Sequence, residues 1–342
     1  MVPVTDNVRP GPRNLITDVA GLKVGNAHDE RFSTGVTVLL PDEPVVAGVD
    51  IRGGAPGTRD TPALDPTCLV EKVDGLVLSG GSVFGLDAAG GITASLSAQG
   101  RGITFGKQPW PTPVVPAAIL FDLMFGPDKQ WSDMPPYRQL GLDAQAAAGD
   151  AFALGNAGAG YGATAGTVKG GLGSASATFN GYTCGALVAA NPVGSCIDPR
   201  TGDLWARAFE LDGEFGPPPG HPSDHREAHL TPLAGSKLQG LEAGANTTIA
   251  IVATDADLTR AEATRLAIMA HDGMARAIRP VHTPFDGDTV FAVSTGKVAA
   301  GANRPAMLAM LGSLAADCLA RAIGRAIVEA QPLHGWPAWR QR

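Results

Sequence analysis

The residues with the greatest chemical potential lie together at Asn246-Thr247-Thr248. A Pro-rich, linker-like stretch runs into this junction, and a nearly continuous β-branched run, Thr247–Thr254 (TTIAIVAT), leads out of it. Such a run is the signature of a strand buried on both faces. Threonine inside a chain is a poor nucleophile, because nothing nearby takes its proton. If the peptide bond before Thr247 is broken, the freed α-amine, with a pKa of about 7.7–8.0, sits beside the hydroxyl and can act as its base. The same hydroxyl can make the cut, attacking the preceding carbonyl to give an ester that water opens. A strand end would hold the nucleophile on a rigid element. The same residues also read as an ordinary strand start, an Asn-x-Thr glycosylation sequon, or an exposed turn.

Other segments carry chemistry of a weaker kind. Gly75–Leu78 reads as a strand, Ser79-Gly80-Gly81-Ser82 as a turn, and Val83–Leu96 as a helix. Free N–H groups at such a helix start would make Gly80, Gly81 and Ser82 a site for an anion or oxyanion, unless the segment is only a tight connection. Gly158, Gly160 and Ala163 imitate a nucleotide-binding GxGxxA, but an Ala-rich segment precedes them where that motif needs a strand. His221, His225 and His229 have a helical ligand spacing, yet Pro217, Pro218, Pro219 and Pro222 argue for a solvated linker. His271 falls mid-helix and reads as structural; together with His282 it flanks the region in sequence. Cys68, Cys184, Cys196 and Cys318 are scattered without zinc spacing and read as reduced and structural. No metal or organic cofactor is implied.

The elements that must position these groups form two halves. Residues 1–14 read as a Pro-rich arm or tail. Strands are expected at Leu22–Val24, Gly35–Leu40 and Cys184–Pro192, the last ending at Asn191-Pro192. Residues 104–137 read as irregular, Ala144–Leu154 as a short helix, and about 212–240 as a flexible linker. Beyond Thr247, a capping box of Thr259 and Glu262 opens a helix to about Ile278. A second strand, Thr289–Ser294, follows, and Pro305 starts a long helix to about Ala330. Sheets covered by helices are the expected architecture.

Composition narrows the class further. Of 342 residues, 44% are apolar and 17% charged, enough for a large core; 45 glycines imply many tight turns. A net charge of −7 without basic clusters excludes nucleic acid as the main partner. No run of about 18 apolar residues predicts a membrane span, and the N-terminus, MVPVTDNVRPGPRN, has no secretory pattern. A soluble cytoplasmic protein, with no membrane partner, is the expectation.

The segments ANTTIAIVATDADLT, AIMAHDGMARAIRPVHTPFDGDTVFAV, RGGAPGTRDT, LSGGSVFGL and GATAGTVKGGLG together resemble the DmpA family of N-terminal-nucleophile hydrolases. That family includes D-aminopeptidases, β-peptidyl aminopeptidases and the endo-type 6-aminohexanoate-oligomer (nylon oligomer) hydrolase. The resemblance runs from about Leu15 to Ala330 and implies an α/β fold, an αββα sandwich. It also implies self-cleavage into an α chain, 1–246, and a β chain, 247–342, which together form one domain and assemble as a homo-oligomer, commonly a tetramer. On the matching motifs, Thr247 is the implied nucleophile and Asn191 an oxyanion donor, a role worth roughly 3–4 kcal/mol. Asp286 and Asp288 match a pair of acids near the nucleophile, suited to orient its ammonium and tune its pKa. Read without the family, Asp286-Gly287-Asp288 is a plain turn. Lys169 matches a catalytic lysine, although its loop reads TVKGG where the nylon-oligomer hydrolase has GKV. Phe121 stands where that hydrolase carries tyrosine.

The aminopeptidase branch shows a Ser-x-Glu element where this chain has Asp286-Gly287-Asp288, so the resemblance favours endo-hydrolysis of linear ω-amino-acid amides. A β-peptidyl or D-stereospecific aminopeptidase is the alternative. An acyltransferase like ornithine acetyltransferase, or an uncleaved non-catalytic protein, are further readings. The expected partner is a small-molecule or peptide-like amide.

Overall fold

The computed structural model describes residues 7–219, 232–238 and 246–341. The first half of the chain contributes β1 (Arg9–Pro10), β2 (Leu22–Asp29), β3 (Thr34–Pro41), β4 (Val46–Ile51), β5 (Thr58–Arg59), β6 (Leu76–Ser79), α1 (Asp87–Ala98), β7 (Ala117–Ile119) and α2 (Tyr137–Ala146). The second half adds β8 (Thr164–Ala165), β9 (Val168–Lys169), β10 (Gly171–Phe179), β11 (Tyr182–Asn191), β12 (Thr247–Ala256), α3 (Arg260–Ala277), β13 (Thr289–Val298) and α4 (Arg304–Val328). One sheet runs β1-β10-β11-β12-β13-β4 and the other β2-β3-β6-β7-β5, while β8 and β9 form a small ribbon.

Side-chain parity explains why these layers stack. Along β12, Ala250 and Val252 point toward Leu266 and Ala270 of α3 and Leu311 and Leu319 of α4. Ile249, Ile251 and Ala253 point the other way, against Leu39, Leu76 and Leu78 of the second sheet. The far side of that sheet, through Val36, Val38 and Val77, is covered by Ile92 and Leu96 of α1 and Leu140 of α2. The result is the expected αββα sandwich. Each fully buried Ile or Leu contributes about 1.5–3 kcal/mol, so the continuous apolar run of β12 is what places it at the centre. Thr247 shares the parity of Ile249 and opens this strand.

Local signals set the later elements closely. Thr259 and Glu262 form the capping box that starts α3, and the Asn303 side chain with Pro305 starts α4. The most apolar window of α4 has a mean hydropathy of 1.5, enough by length and composition to cross a membrane, yet 67% of that window is buried within the protein. Its apolarity is that of a core helix.

Four expectations need correction. Of the helix expected at Ala144–Leu154, only Ala144–Ala146 is helical, as the last residues of α2. Gly149 exchanges both backbone bonds with Val24 (3.0 and 3.1 Å), and that pairing outweighs the helix propensity of the alanines. The irregular stretch 104–137 contains β7, which lies parallel to β6; three residues are too few to show a period. Part of the N-terminal arm is docked: Arg9 and Pro10 pair with β10, and the Asn14 side chain bonds Glu214 and Arg321. The 212–240 linker is docked at its start, where Phe215 is fully buried and Glu214 pairs with Arg321, and over 232–238, where Lys237 N donates to Val193 O at 2.9 Å. His221, His225 and His229 lie outside the described residues.

Candidate active site

β12 begins between two neighbours, β11 running antiparallel and β13 parallel, and this arrangement assembles the junction. Thr247 stands in register with Asn191, the last residue of β11, while Ile249 pairs with Thr289 just after the Asp286-Gly287-Asp288 loop. Thr247 is only 3% exposed. Its Oγ1 accepts a hydrogen bond from Gly287 N at 3.0 Å and donates to the carbonyl oxygen of Asn246. Gly287 N also reaches that carbonyl oxygen at 3.3 Å, and Asn246 N donates to Phe285 O at 3.2 Å. The loop therefore grips the Asn246–Thr247 bond from both sides. A Cβ on Gly287 would lie 2.8 Å from Thr247 Oγ1 and 2.7 Å from Ala55 O, so only glycine allows this approach.

The two carboxylates build that loop. Asp286 accepts from Val193 N (3.0 Å), Thr283 N (3.1 Å) and Thr283 Oγ1 (2.5 Å). Asp288 accepts from Thr248 N (2.9 Å), His282 N (3.0 Å) and His282 Nδ1 (2.8 Å). Burial, and then the charge of Asp288, push the Asp286 carboxyl above the usual range. The RGGAPGT segment braces the loop, with Arg52 N donating to Asp288 O (3.0 Å) and Ala55 N to Asp286 O (2.8 Å). In the uncut chain the acids thus hold the loop and the residue after Thr247. His271 lies behind them: its Nε2 meets Asp50 O at 3.0 Å, and burial lowers its pKa to about 4.

Asn191 is fixed by its own amide. Its Oδ1 accepts from Thr164 N (2.9 Å) and Lys237 Nζ (3.3 Å), and its Nδ2 donates to the backbone oxygen of Phe121 (3.0 Å). An amide nitrogen has two hydrogens, so one remains for a further acceptor. Phe121 lines a cavity of about 250 Å³ together with Met124, Phe125, Trp336, Asp122, Thr164, Asn191, Lys237 and Asn246. This cavity lies on the Asn246 side of the junction.

Two sequence candidates sit differently from expectation. Lys169 is wholly buried, and its Nζ donates to the carbonyls of Gly160 (3.1 Å), Ala163 (2.7 Å) and Gly170 (2.9 Å). It also lies over the Phe125 ring at 5.3 Å, and burial pulls its pKa down to about 7. Its hydrogen bonds tie the Gly-rich loop together, and none goes to Thr247. At the turn after β6, the amides expected to face a ligand are already used. Gly80 N donates to Gly35 O (2.9 Å), Gly81 N to the Asp122 carboxylate (2.8 Å) and Ser82 N to Leu120 O (3.0 Å). That turn anchors Asp122 at the cavity floor, where Thr34 Oγ1 also donates to it at 2.6 Å and burial raises its pKa.

Two residues at the junction carried no sequence expectation. Gly287 was legible only as turn chemistry between two acids. Lys237 projects from the docked part of the linker and donates to the side-chain oxygens of Asn191 and Asn246. Burial lowers its pKa to about 7, against the pull of Asp286. Its one signal in the sequence is that no other lysine occurs between Lys169 and Lys297.

The sequence model of the family described as Peptidase family S58 matches residues 14–338. A protein named an uncharacterized aminopeptidase from Mycobacterium tuberculosis is 44% identical over 349 residues, covering 96% of this chain and 97% of its own. A 6-aminohexanoate-oligomer endohydrolase from a Kocuria species is 30% identical over 305 residues, covering 87% and 79%. The fold is shared with the L-aminopeptidase D-Ala-esterase/amidase of Ochrobactrum anthropi, described as a variant of the Ntn hydrolase fold. That likeness has a TM-score of 0.66 at 21% identity and covers 98% of this chain and 91% of that one.

Proposed function

The chain belongs to peptidase family S58, and from that premise we propose that it cuts itself between Asn246 and Thr247 and then hydrolyses linear amides with Thr247 as nucleophile. The observation that carries the proposal is the hydrogen bonding of Gly287 N, shared between Thr247 Oγ1 and the carbonyl oxygen of Asn246. As Oγ1 bonds to the Asn246 carbonyl carbon, negative charge develops on an oxygen already facing that N–H. The C–N bond then breaks, leaving an ester on Thr247 and a free α-amine, and water opens the ester to release the Asn246 carboxylate. In turnover the amine takes the Thr247 proton while Oγ1 attacks the substrate carbonyl. The leaving amine receives the proton, and water clears the acyl group.

Asn191, through its remaining amide hydrogen, is assigned to the substrate oxyanion. Asp288 is assigned to hold the start of β12 through Thr248 N, which keeps the new α-amine in place, and Asp286 to set the Gly287 amide. Lys169 acts one layer back, by bracing the loop that supplies Thr164 to Asn191. The cavity of about 250 Å³ beside Asn246 is the acyl pocket. It is smaller than a drug-sized site of roughly 300–1,000 Å³ and suits one short linear acyl unit. Such a unit fits the oligomer-hydrolase reading, in which internal amides of ω-amino-acid chains are cut. The 44% identity to a protein named an aminopeptidase favours a second reading, removal of N-terminal residues. A homo-oligomer, with a tetramer favoured, is part of the proposal.

Intact-mass measurement with N-terminal sequencing tests the first step. A small chain beginning Thr-Thr-Ile-Ala is expected from the wild type and none from Thr247→Ala, which should also lack turnover. An uncut Thr247→Ala chain that still hydrolyses amides would remove Thr247 as the nucleophile. Product analysis on linear 6-aminohexanoate oligomers and on amino-acid anilides separates internal from terminal cleavage.

A further inference from the structure

The segment carrying Lys237 is tied to the junction by backbone and by side chain. Lys237 N donates to Val193 O at 2.9 Å, and Val193 N donates to the Asp286 carboxylate at 3.0 Å. One residue thus couples the lysine's backbone to the loop that holds the Asn246–Thr247 bond. The approach is close: a Cβ on Gly166 would fall 2.4 Å from Gly235 O, so the segment seats against a glycine of the Gly-rich loop. From this mount Nζ reaches the cavity wall and donates to two side-chain carbonyls, those of Asn246 and Asn191 (3.3 Å for the latter). The backbone of Asn246 is separately held by Phe285 O and Gly287 N.

We propose that Lys237 is a positioning residue for self-cleavage, clamping the side chain of Asn246 so that its carbonyl stays in line for attack by Thr247. The inference rests on the self-cleavage reading above. Hydrogen bonds to Phe285, Gly287 and Thr247 fix the main chain of Asn246, and the Lys237 bond anchors its side chain as well. Near-attack geometry is sensitive to small displacements, because a misplacement of about 1 Å can cost on the order of 10²-fold in rate. The tether is charge-assisted, which makes it stronger than a neutral hydrogen bond. Because Nζ also holds Asn191, the residue to be cut and the amide assigned to the oxyanion are set by the same group.

The test is a double-mutant cycle on the rate at which full-length chain converts to two fragments, followed by intact mass. Lys237→Met should slow cleavage by about 10–100-fold, the loss expected for one charge-assisted hydrogen bond at a reacting group. Asn246→Ala should slow it comparably, and the double variant no further than either single one. Lys237→Arg should restore most of the rate. Multiplied effects in the double variant would overturn the clamp, as would cleavage of Lys237→Met at the wild-type rate. If Lys237→Met fails to fold, Asn246→Ala and Lys237→Arg carry the test, and wild-type cleavage in Asn246→Ala overturns it. A wild-type chain that stays uncut removes the self-cleavage reading and the clamp together. A wild type that is cut beside an equally fast Lys237→Met removes the clamp alone.

Discussion

Lys169, in the Gly-rich ribbon, and Lys237, in the segment docked beside β11, are both crowded by protein, and burial pulls both ammonium groups down to about 7. Their partners differ in kind. Lys169 gives all three of its donors to backbone carbonyls of its own loop, so its bonds hold local chain conformation. Lys237 gives its donors to side chains from two other segments, one of them the residue before Thr247. A perturbed pKa marks both positions equally, and only the partners separate a brace from a candidate for the chemistry.

The largest effect should come from removing the brace. Lys169→Met removes three hydrogen bonds to buried carbonyls, of which Gly160 O and Ala163 O also accept from backbone N–H groups, and should destabilise the fold by about 3–5 kcal/mol, measured by denaturant unfolding. A Lys169→Met protein of wild-type stability that no longer cuts itself would reverse the roles assigned to the two lysines. The next effect concerns Asn191, the polar hub that Lys237 touches and Lys169 does not. In the cut enzyme, Asn191→Ala should lower kcat by about 10²–10³-fold, the usual loss for one oxyanion donor. Unchanged kcat would leave Asn191 as an anchor for the lysine only.

The smallest effect is in pH dependence. The groups facing Lys237 are the Asp286 carboxylate, the Cys196 thiol (itself pushed up to about 12 by burial) and, at longer range, Lys169. The Lys237 ammonium is present below about 7 and is lost as pH rises through that value. If the ammonium form clamps Asn246, wild-type self-cleavage should slow by about tenfold between pH 6 and 8, and Lys237→Arg should stay flat, since arginine keeps its charge. A rate that rises through pH 7 and is lost in Lys237→Arg would mean that the free amine acts as a base.

Much of this arrangement is legible along the chain where a local signal exists. The β-branched run from Thr247 predicts a core strand, and β12 is that strand. The Thr259–Glu262 capping box marks the start of α3 to the residue, and Asn191 falls at the end of β11 as Asn191-Pro192 suggests. The Gly80–Ser82 turn misleads because a strand–turn–helix pattern reveals the positions of N–H groups without their acceptors. Gly35 O, Leu120 O and Asp122 come from other strands and loops. Lys237 is invisible for a similar reason: it lies in an aperiodic stretch, and its partners come from β11 and the β12 junction.

By itself the sequence determined the layer order, the strand that Thr247 opens, the helix starts and the family. These follow from hydrophobic period, capping chemistry and resemblance, which are written in neighbouring residues. Only the tertiary structure decided where each polar group spends its hydrogen bonds: Lys169 on its own loop, Asp286 on Thr283 and Val193, Asp288 on His282 and Thr248, Lys237 on Asn191 and Asn246. A hydrogen bond acts over about 3 Å, and here its partners are brought within that reach by sheet register, a property of the whole fold.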